Sequence, residues 1–309
     1  MKKLLSVYFG NYRTYFSVIT PTEKGFELKS INSINHTINS SNNDLLFEDT
    51  DSGIKEILND FGKDIKSVSV SIPASAVHTA FVPQPSQMNY QDIKKLIELE
   101  IRLAYPERCY EDFIASAIPM TSKSGSAEYM LAVIIPKSFI NSCKDFLSSL
   151  DIPIDNIEIS QFTAHSALMY NYPERRKEAA VLINVDRKSL EISAVIAGKL
   201  AYYNFSRTSE SNQIVNKYTK ELEKIKEDYA GTIDSVYLFG EGLDFDLITR
   251  AKQELKNSVS NVFKLNAFRM LTTQLSEKHR EYCSLMAHVF PPCIGSSLPA
   301  YHNKIAILK

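Results

Sequence analysis

Glycine is scarce in this chain, with 10 residues in 309, about 3% where soluble proteins average about 7%. Nucleotide-binding enzymes set glycines where backbone must approach phosphate, so the shortage argues against many phosphate-cradling turns. Tryptophan is absent, and the four cysteines (Cys109, Cys143, Cys283, Cys293) form no C-x-x-C pair. That spacing argues against a disulfide framework and fits a reducing compartment, the cytoplasm. The 35 Lys+Arg against 36 Asp+Glu leave a formal net charge of -1, without the basic surplus of a general nucleic-acid binder. No run reaches the roughly 18 to 20 consecutive apolar residues of a membrane span. Met1-Lys2-Lys3-Leu4-Leu5 resembles a signal start, but Tyr12 and Arg13 interrupt it, so a first β-strand is expected there. The length of 309 residues suits two packed domains or one large one.

What is present reads as alternating strands and helices. Residues 4–9 and 14–19 are β-prone around Gly10-Asn11, a hairpin, and 25–31 extends it to a meander. Residues 35–52 are polar and read as an exposed loop, and 53–62 as a helix ending at Gly62. Residues 67–72 alternate strictly and stop at Pro73. A strand is expected at 78–82. Asn89, with Asp92 three residues on, predicts a capping box for a helix over 90–104. Strands at 112–119 and 128–135 around a Ser/Gly turn, a helix at 137–150 and a strand at 154–160 complete a β-α-β-β-α-β plan. A helix at 161–170 follows, then a polar hinge through Glu174-Arg175-Arg176-Lys177. A second meander occupies 179–205. A helix over 211–229 carries Ile214, Val215, Tyr218, Leu222, Ile225 and Tyr229 on one face and the ion pairs Lys217/Glu221 and Lys224/Asp228 on the other. A strand at 235–240, a helix at 243–257, a strand at 259–264 and a helix at 277–289 follow, with an apolar tail at 305–308. One order of elements thus runs twice, from residue 4 and from residue 179.

Two other chemistries are weak. His279, Cys283, His288 and Cys293 offer zinc-type ligands, but Pro291-Pro292 is expected to break the element before Cys293, and the spacing matches no standard finger. No G-x-S-x-G supports a hydrolase. The aromatic clusters Tyr202-Tyr203-Asn204-Phe205 and Phe81-Val82-Pro83 read as core, with an exposed peptide groove as the functional alternative.

The duplicated β-β-β-α-β-α order resembles the ribonuclease-H-like repeat of the actin and sugar-kinase superfamily. The module inserted in the first half, Ser69-Val70-Ser71-Ile72-Pro73, the helix from Asn89 to Glu100, Tyr105-Pro106-Glu107 with Glu111-Asp112, Asn204-Phe205-Ser206-Arg207 and the turn within Val236 to Gly242 resemble the FtsA- and PilM-like branch. The resemblance implies an α/β (α+β) actin-like ATPase fold. Its halves are expected at 1–75 plus 161–178 and at 179–309, with an inserted split-βαβ (βαββαβ) subdomain at 76–160. Active members hold ATP between the halves, with phosphates on two D-x-G hairpins whose carboxylates orient Mg²⁺. Here the first hairpin reads Tyr8-Phe9-Gly10 and the second Asn184-Val185-Asp186, while the adenosine turn reads Gly240-Glu241-Gly242. Tyr8 and Asn184 replace both carboxylates, and Asp186 puts negative charge where phosphate would approach. These positions point to a vestigial nucleotide site, no catalytic residues, no metal and no cofactor, with bound ATP/Mg doubtful. By family analogy the protein is a cytoplasmic scaffold, peripheral to an inner membrane through a partner whose short peptide it binds. The groove would be bordered by the 90–104 helix and the 76–83 strand. No nucleic acid and no membrane span of its own are expected, and oligomers are allowed. The alternatives are an active kinase or ATPase using Asp186 or Glu241, or an actin-fold ligand-binding protein.

Overall fold

In a computed structural model, the described residues are 3–38, 45–47, 59–62, 64–84, 89–121, 129–148, 152–208, 211–229, 233–256, 259–301 and 304–308. In chain order, the strands of the first part are β1 (Lys3–Phe9), β2 (Arg13–Thr22), β3 (Gly25–Ile38), β4 (Leu45–Phe47), β5 (Ile65–Ile72) and β6 (His78–Pro83). Then come α1 (Tyr90–Ala104), β7 (Phe113–Met120), β8 (Tyr129–Pro136), α2 (Lys137–Leu147), β9 (Ile154–Ile159) and α3 (Ser160–Asn171). The second part holds β10 (Ala180–Val185), β11 (Ser189–Ile196), β12 (Lys199–Arg207), α4 (Ser211–Tyr229), β13 (Ser235–Phe239), α5 (Phe245–Leu255) and β14 (Asn261–Lys264). Last are β15 (Thr272–Thr273), α6 (Glu277–Met286), α7 (Pro291–Ser296) and β16 (Ile305–Leu308). The helix expected at 53–62 and the turn at 122–126 fall largely outside the described residues. Of the polar stretch 35–52, residues 35–38 extend β3 and 45–47 form β4.

The chain divides into two compact units. The first comprises Met1–Ala76, Ser138–Pro173 and Leu265–Tyr301. Its sheet runs β15-β3-β2-β1-β5-β9, with β4 on β3. β1 to β3 form an antiparallel meander, and β5 and β9 add in parallel. α3 is buried along nearly its whole length, His165 and Asn171 included. It receives α7 so closely that a Cβ on Gly295 would strike the Thr163 carbonyl. Asn171 lies between turns: its Nδ2 donates to the Ala167 and Ala267 carbonyls, and its Oδ1 accepts from the Met270 N–H.

The second unit comprises Val77–Lys137, Glu174–Lys264 and His302–Lys309. Its five-stranded sheet, β12-β11-β10-β13-β14, repeats the strand order of the first, three antiparallel and two parallel. Ile214, Tyr218, Leu222 and Ile225 of α4 and Leu247, Ala251 and Leu255 of α5 bury against it. The side chains of Val215 and Tyr229 lie outside the described residues. A separate four-stranded sheet, β16-β7-β8-β6, carries α1 on one face. Ile93, Ile97 and Ile101 pack there on Ala80, Val82 and Phe113, and Asn89 and Asp92 form the predicted capping box. The Thr121 N–H at the end of β7 donates to the Leu200 carbonyl of β12 (2.8 Å).

Several expectations need correction. β9 and α2 do not close the inserted module. β9 lies parallel to β5, pairing Ile159 with Ile72, and α2 sets Phe146 on Phe9 and Phe16. Parallel neighbours need a long crossover, and the module itself forms part of it. The place left in the small sheet is taken by β16. Residues 265–301, assigned by sequence to the second half, belong to the first unit. Pro291-Pro292 starts α7 rather than ending an element, because proline at the first helical turn loses no hydrogen bond. Lys217 donates to the Arg207 carbonyl, and Lys224 pairs with Glu221 (2.9 Å).

Candidate functional site

The first-unit turn joins β1 to β2, where the Gly10 N–H donates to the Arg13 carbonyl (2.9 Å). Asn11 Oδ1 accepts from the Ser75 hydroxyl (2.6 Å). Arg13 donates through Nε to Asn35 Oδ1 on β3 (2.8 Å), so this guanidinium is held along the sheet. Tyr8, in the expected carboxylate position, is buried. Its ring stacks on Tyr15 at 5.9 Å between centroids, within the cluster that includes Phe290, Cys293 and Ile294. A carboxylate in that apolar setting would be strongly disfavoured, which accounts for an aromatic residue there.

The second-unit turn joins β10 to β11. The Asp186 N–H donates to the Ser189 carbonyl (3.0 Å), closing the predicted hairpin around Arg187 and Lys188. The Arg187 N–H donates to Asp186 Oδ1 (2.6 Å). The Gly240-Glu241-Gly242 turn presses on this hairpin. Gly240 has φ +111°, and a Cβ there would collide with the Val185 carbonyl and with Asn184 Oδ1. A Cβ on Gly242 would meet the Asp186 carbonyl carbon at 2.7 Å, and the Gly242 N–H donates to the Val185 carbonyl (2.9 Å). Both glycines are therefore required by the approach of one turn to the other.

Behind the hairpin lies a buried polar group that the motif comparison did not single out. Asn184 Nδ2 donates to Glu191 Oε2 (3.3 Å), and the Tyr203 hydroxyl donates to Glu191 Oε1 (2.8 Å). All three side chains are buried. Burial, with the Glu191 charge adding to it, raises the Tyr203 phenol well above its ordinary pKa, so the phenol stays a donor. One signal was available: Glu191 is the sole charge inside Ser189-Leu190-Glu191-Ile192-Ser193-Ala194-Val195-Ile196. The fold thus groups Asn184, Asp186, Gly240 and Gly242 with Glu191 and Tyr203 in one unit, and holds Tyr8 and Gly10 in the other.

The remaining candidates form no centre. No group of three or more His, Cys, Asp or Glu among the described residues could hold a metal ion. Cys283 and Cys293 are buried, and burial raises their thiols to about 11 and about 12. His279 instead meets the helix-capping Ser276 through Nδ1 (3.0 Å). Ile93, Ile97 and Ile101 of α1 pack with Ala80 and Val82 of β6. Leu99 and Leu103 of α1 are exposed, and Phe81 and Tyr129 are exposed on strands whose neighbouring residues Ala80, Val82 and Met130 face α1. No described helix is long and apolar enough to cross a membrane.

No family model and no curated protein matches the chain. Among solved structures, it is similar to a chain of the PilM–PilN type IV pilus biogenesis complex. That likeness has a TM-score of 0.69 at 11% identity and covers 94% of this chain and 96% of the other. Two further similarities are to a Bacteroides thetaiotaomicron protein with an actin-like ATPase fold and unknown function, and to the cytoplasmic domain of EpsL, an inner membrane component of the Vibrio cholerae type II secretion system. The first has a TM-score of 0.48 at 15% identity, covering 85% and 91% of the two chains. The second has a TM-score of 0.48 at 11% identity, covering 86% and 98%. Two sheets of one strand order, with a small extra sheet and a likeness spanning both chains nearly end to end, identify this as the actin-like ATPase fold in a form resembling PilM.

Proposed function

We propose that the protein is a non-catalytic actin-like scaffold that binds a short peptide of a membrane-associated partner in a pilus- or secretion-type assembly. The observation that carries the non-catalytic reading is the state of the second hairpin. Phosphate cradles work through unpaired backbone N–H groups and a bound cation. Here the N–H groups of Asp186, Arg187 and Gly242 already have internal acceptors. The Asp186 and Glu191 carboxylates add negative charge at and behind the turn, and Asn184 donates to Glu191. Tyr8 is packed into a core and offers no carboxylate. The likeness to a chain of the PilM–PilN complex supports the class of partner, and with it a cytoplasmic position peripheral to a membrane.

The test is isothermal titration of the purified protein with Mg-ATP, alongside a phosphate-release assay. The expected result is no saturable heat up to millimolar nucleotide and no release. Micromolar binding would overturn the reading and favour the kinase or ATPase alternative, with Asp186→Asn and Glu241→Gln then abolishing turnover.

A further inference from the structure

The small sheet of the second unit takes one edge strand from a distant part of the sequence. β16 lies antiparallel on β7, pairing Ile305 with Ala117 and Ala306 with Ser116. The register then shifts, and Leu308 pairs with Ala115. The shift aims two successive side chains at one core, as bulges do: Ile307 is buried against the α1 face, and Leu308 packs partly on it. The Tyr90 hydroxyl at the start of α1 donates to the Ile307 carbonyl (2.7 Å). The side chains of Ile305 and Ala306 face solvent, so these two residues are held by main-chain pairing and bury no side chain. β16 is four residues long against eight for β7, and β7 offers it the small side chains Ala115, Ser116 and Ala117.

From this we infer that the β7 edge is a strand-acceptor site, occupied in cis by residues 304–308, and that an extended peptide of a partner replaces them. This rests on the scaffold reading above and names how its peptide binds. The occupant is set by what the edge already holds. It is an extended segment without proline at its paired positions, with one β-branched or leucine side chain for the Ile307 position and its carbonyl free for Tyr90. Main-chain pairing supplies affinity and the single buried side chain supplies selectivity, as in strand addition to sheet edges elsewhere. The cis strand is a competitor at an effective concentration in the millimolar range. It therefore sets a threshold that chance apolar peptides do not pass, and it covers an edge otherwise open to aggregation.

The probe is a fluorescent peptide, Lys-Ile-Ala-Ile-Leu-Lys, which repeats residues 304–309. It is titrated by anisotropy against the full-length wild type and against full-length Ile307→Asp, whose own strand should leave the edge. The variant is expected to bind saturably, at least about tenfold more tightly than wild type. A peptide with Asp at the fourth position should not bind either protein. A variant that keeps native circular dichroism and melts cooperatively yet binds no peptide overturns the inference. Equal binding by both proteins overturns it too, because the peptide would then sit elsewhere. Hydrogen exchange on the wild type gives a second measurement should the variant misfold. Amides of β16 should exchange at least about tenfold faster than those of β8, and equal protection would sink the proposal. Neither measurement involves nucleotide, so failure here leaves the non-catalytic reading to its own test.

Discussion

Tyr8 and Gly240 show how one position can look functional by motif and be structural by contact. Tyr8 stands where a metal-orienting carboxylate would be, and it is a wall of the Tyr15–Phe290 cluster. Gly240 stands in the turn that the resemblance likens to an adenosine turn, and its φ of +111° and the closeness of the Val185 carbonyl already demand glycine. Gly240→Ala should cost about 2–3 kcal/mol through backbone strain and displacement of the hairpin, read from the urea midpoint with or without ATP. Tyr203→Phe removes a buried donor to a carboxylate and should destabilise by about 1–3 kcal/mol. Raised phenols also set an alkaline limit. Burial lifts the Tyr203 pKa above 10.0, and it lifts those of Tyr202 and Tyr218 as well. Above pH 10 the unfolded chain loses those protons while the folded chain keeps them, so stability is full below that point and falls as pH rises. The Tyr203→Phe variant should show a shallower alkaline loss in a pH series of thermal melts.

At the scale of elements, α1 was the most legible part of the chain. Asn89 and Asp92 announced its start, and Ile93, Ile97 and Ile101 its buried face, and the helix spans Tyr90–Ala104 as expected. Ile97→Ala should cost about 3 kcal/mol, because the side chain is fully enclosed and the cavity cannot collapse. Loss of β6–α1 packing would be visible in denaturant titration. β6 also carries the acid-sensitive group of the module. His78 meets Tyr105 edge-on, and burial pulls its pKa below 6.5, against a smaller upward pull from Glu100. Above pH 6.5 both states are neutral at this site. Below it the unfolded chain takes up a proton that the folded chain resists, so stability falls with acidification. Melting temperatures between pH 7.5 and 5 should fall less steeply in His78→Gln. What periodicity could not assign was partnership. β9 reads as a good strand wherever it lies, and only its pairing with Val68–Ile72 shows that it belongs to the first sheet. The 305–308 tail read only as an apolar tail, since four residues carry too little pattern to reveal a distant partner on β7.

Asp186→Gly removes a charge from the second turn but leaves Glu191, Asn184 and the core-packed Tyr8 in place. It should not create measurable Mg-ATP binding by calorimetry. The triple change Tyr8→Asp, Asn184→Asp and Asp186→Gly should first be limited by stability, because Tyr8→Asp buries a carboxylate among Tyr15, Phe290 and Ile294.

The order of elements was legible without coordinates. Alternating apolar residues, caps and glycine or proline breaks act over a few neighbours, so residues 4–31 and 179–205 each declared a meander and the repeat of one plan could be seen. The shortage of glycine was equally plain, with 10 in the chain. The tertiary structure alone decided where the elements went: β9 beside β5, residues 265–301 in the first unit, and β16 on the small sheet. It also decided what the remaining turn glycines do, since Gly240 and Gly242 are held by the Val185 and Asp186 backbone more than fifty residues away in the chain. Such choices depend on which buried surfaces and unpaired strand edges meet across long separations, and local pattern carries no record of the distant partner.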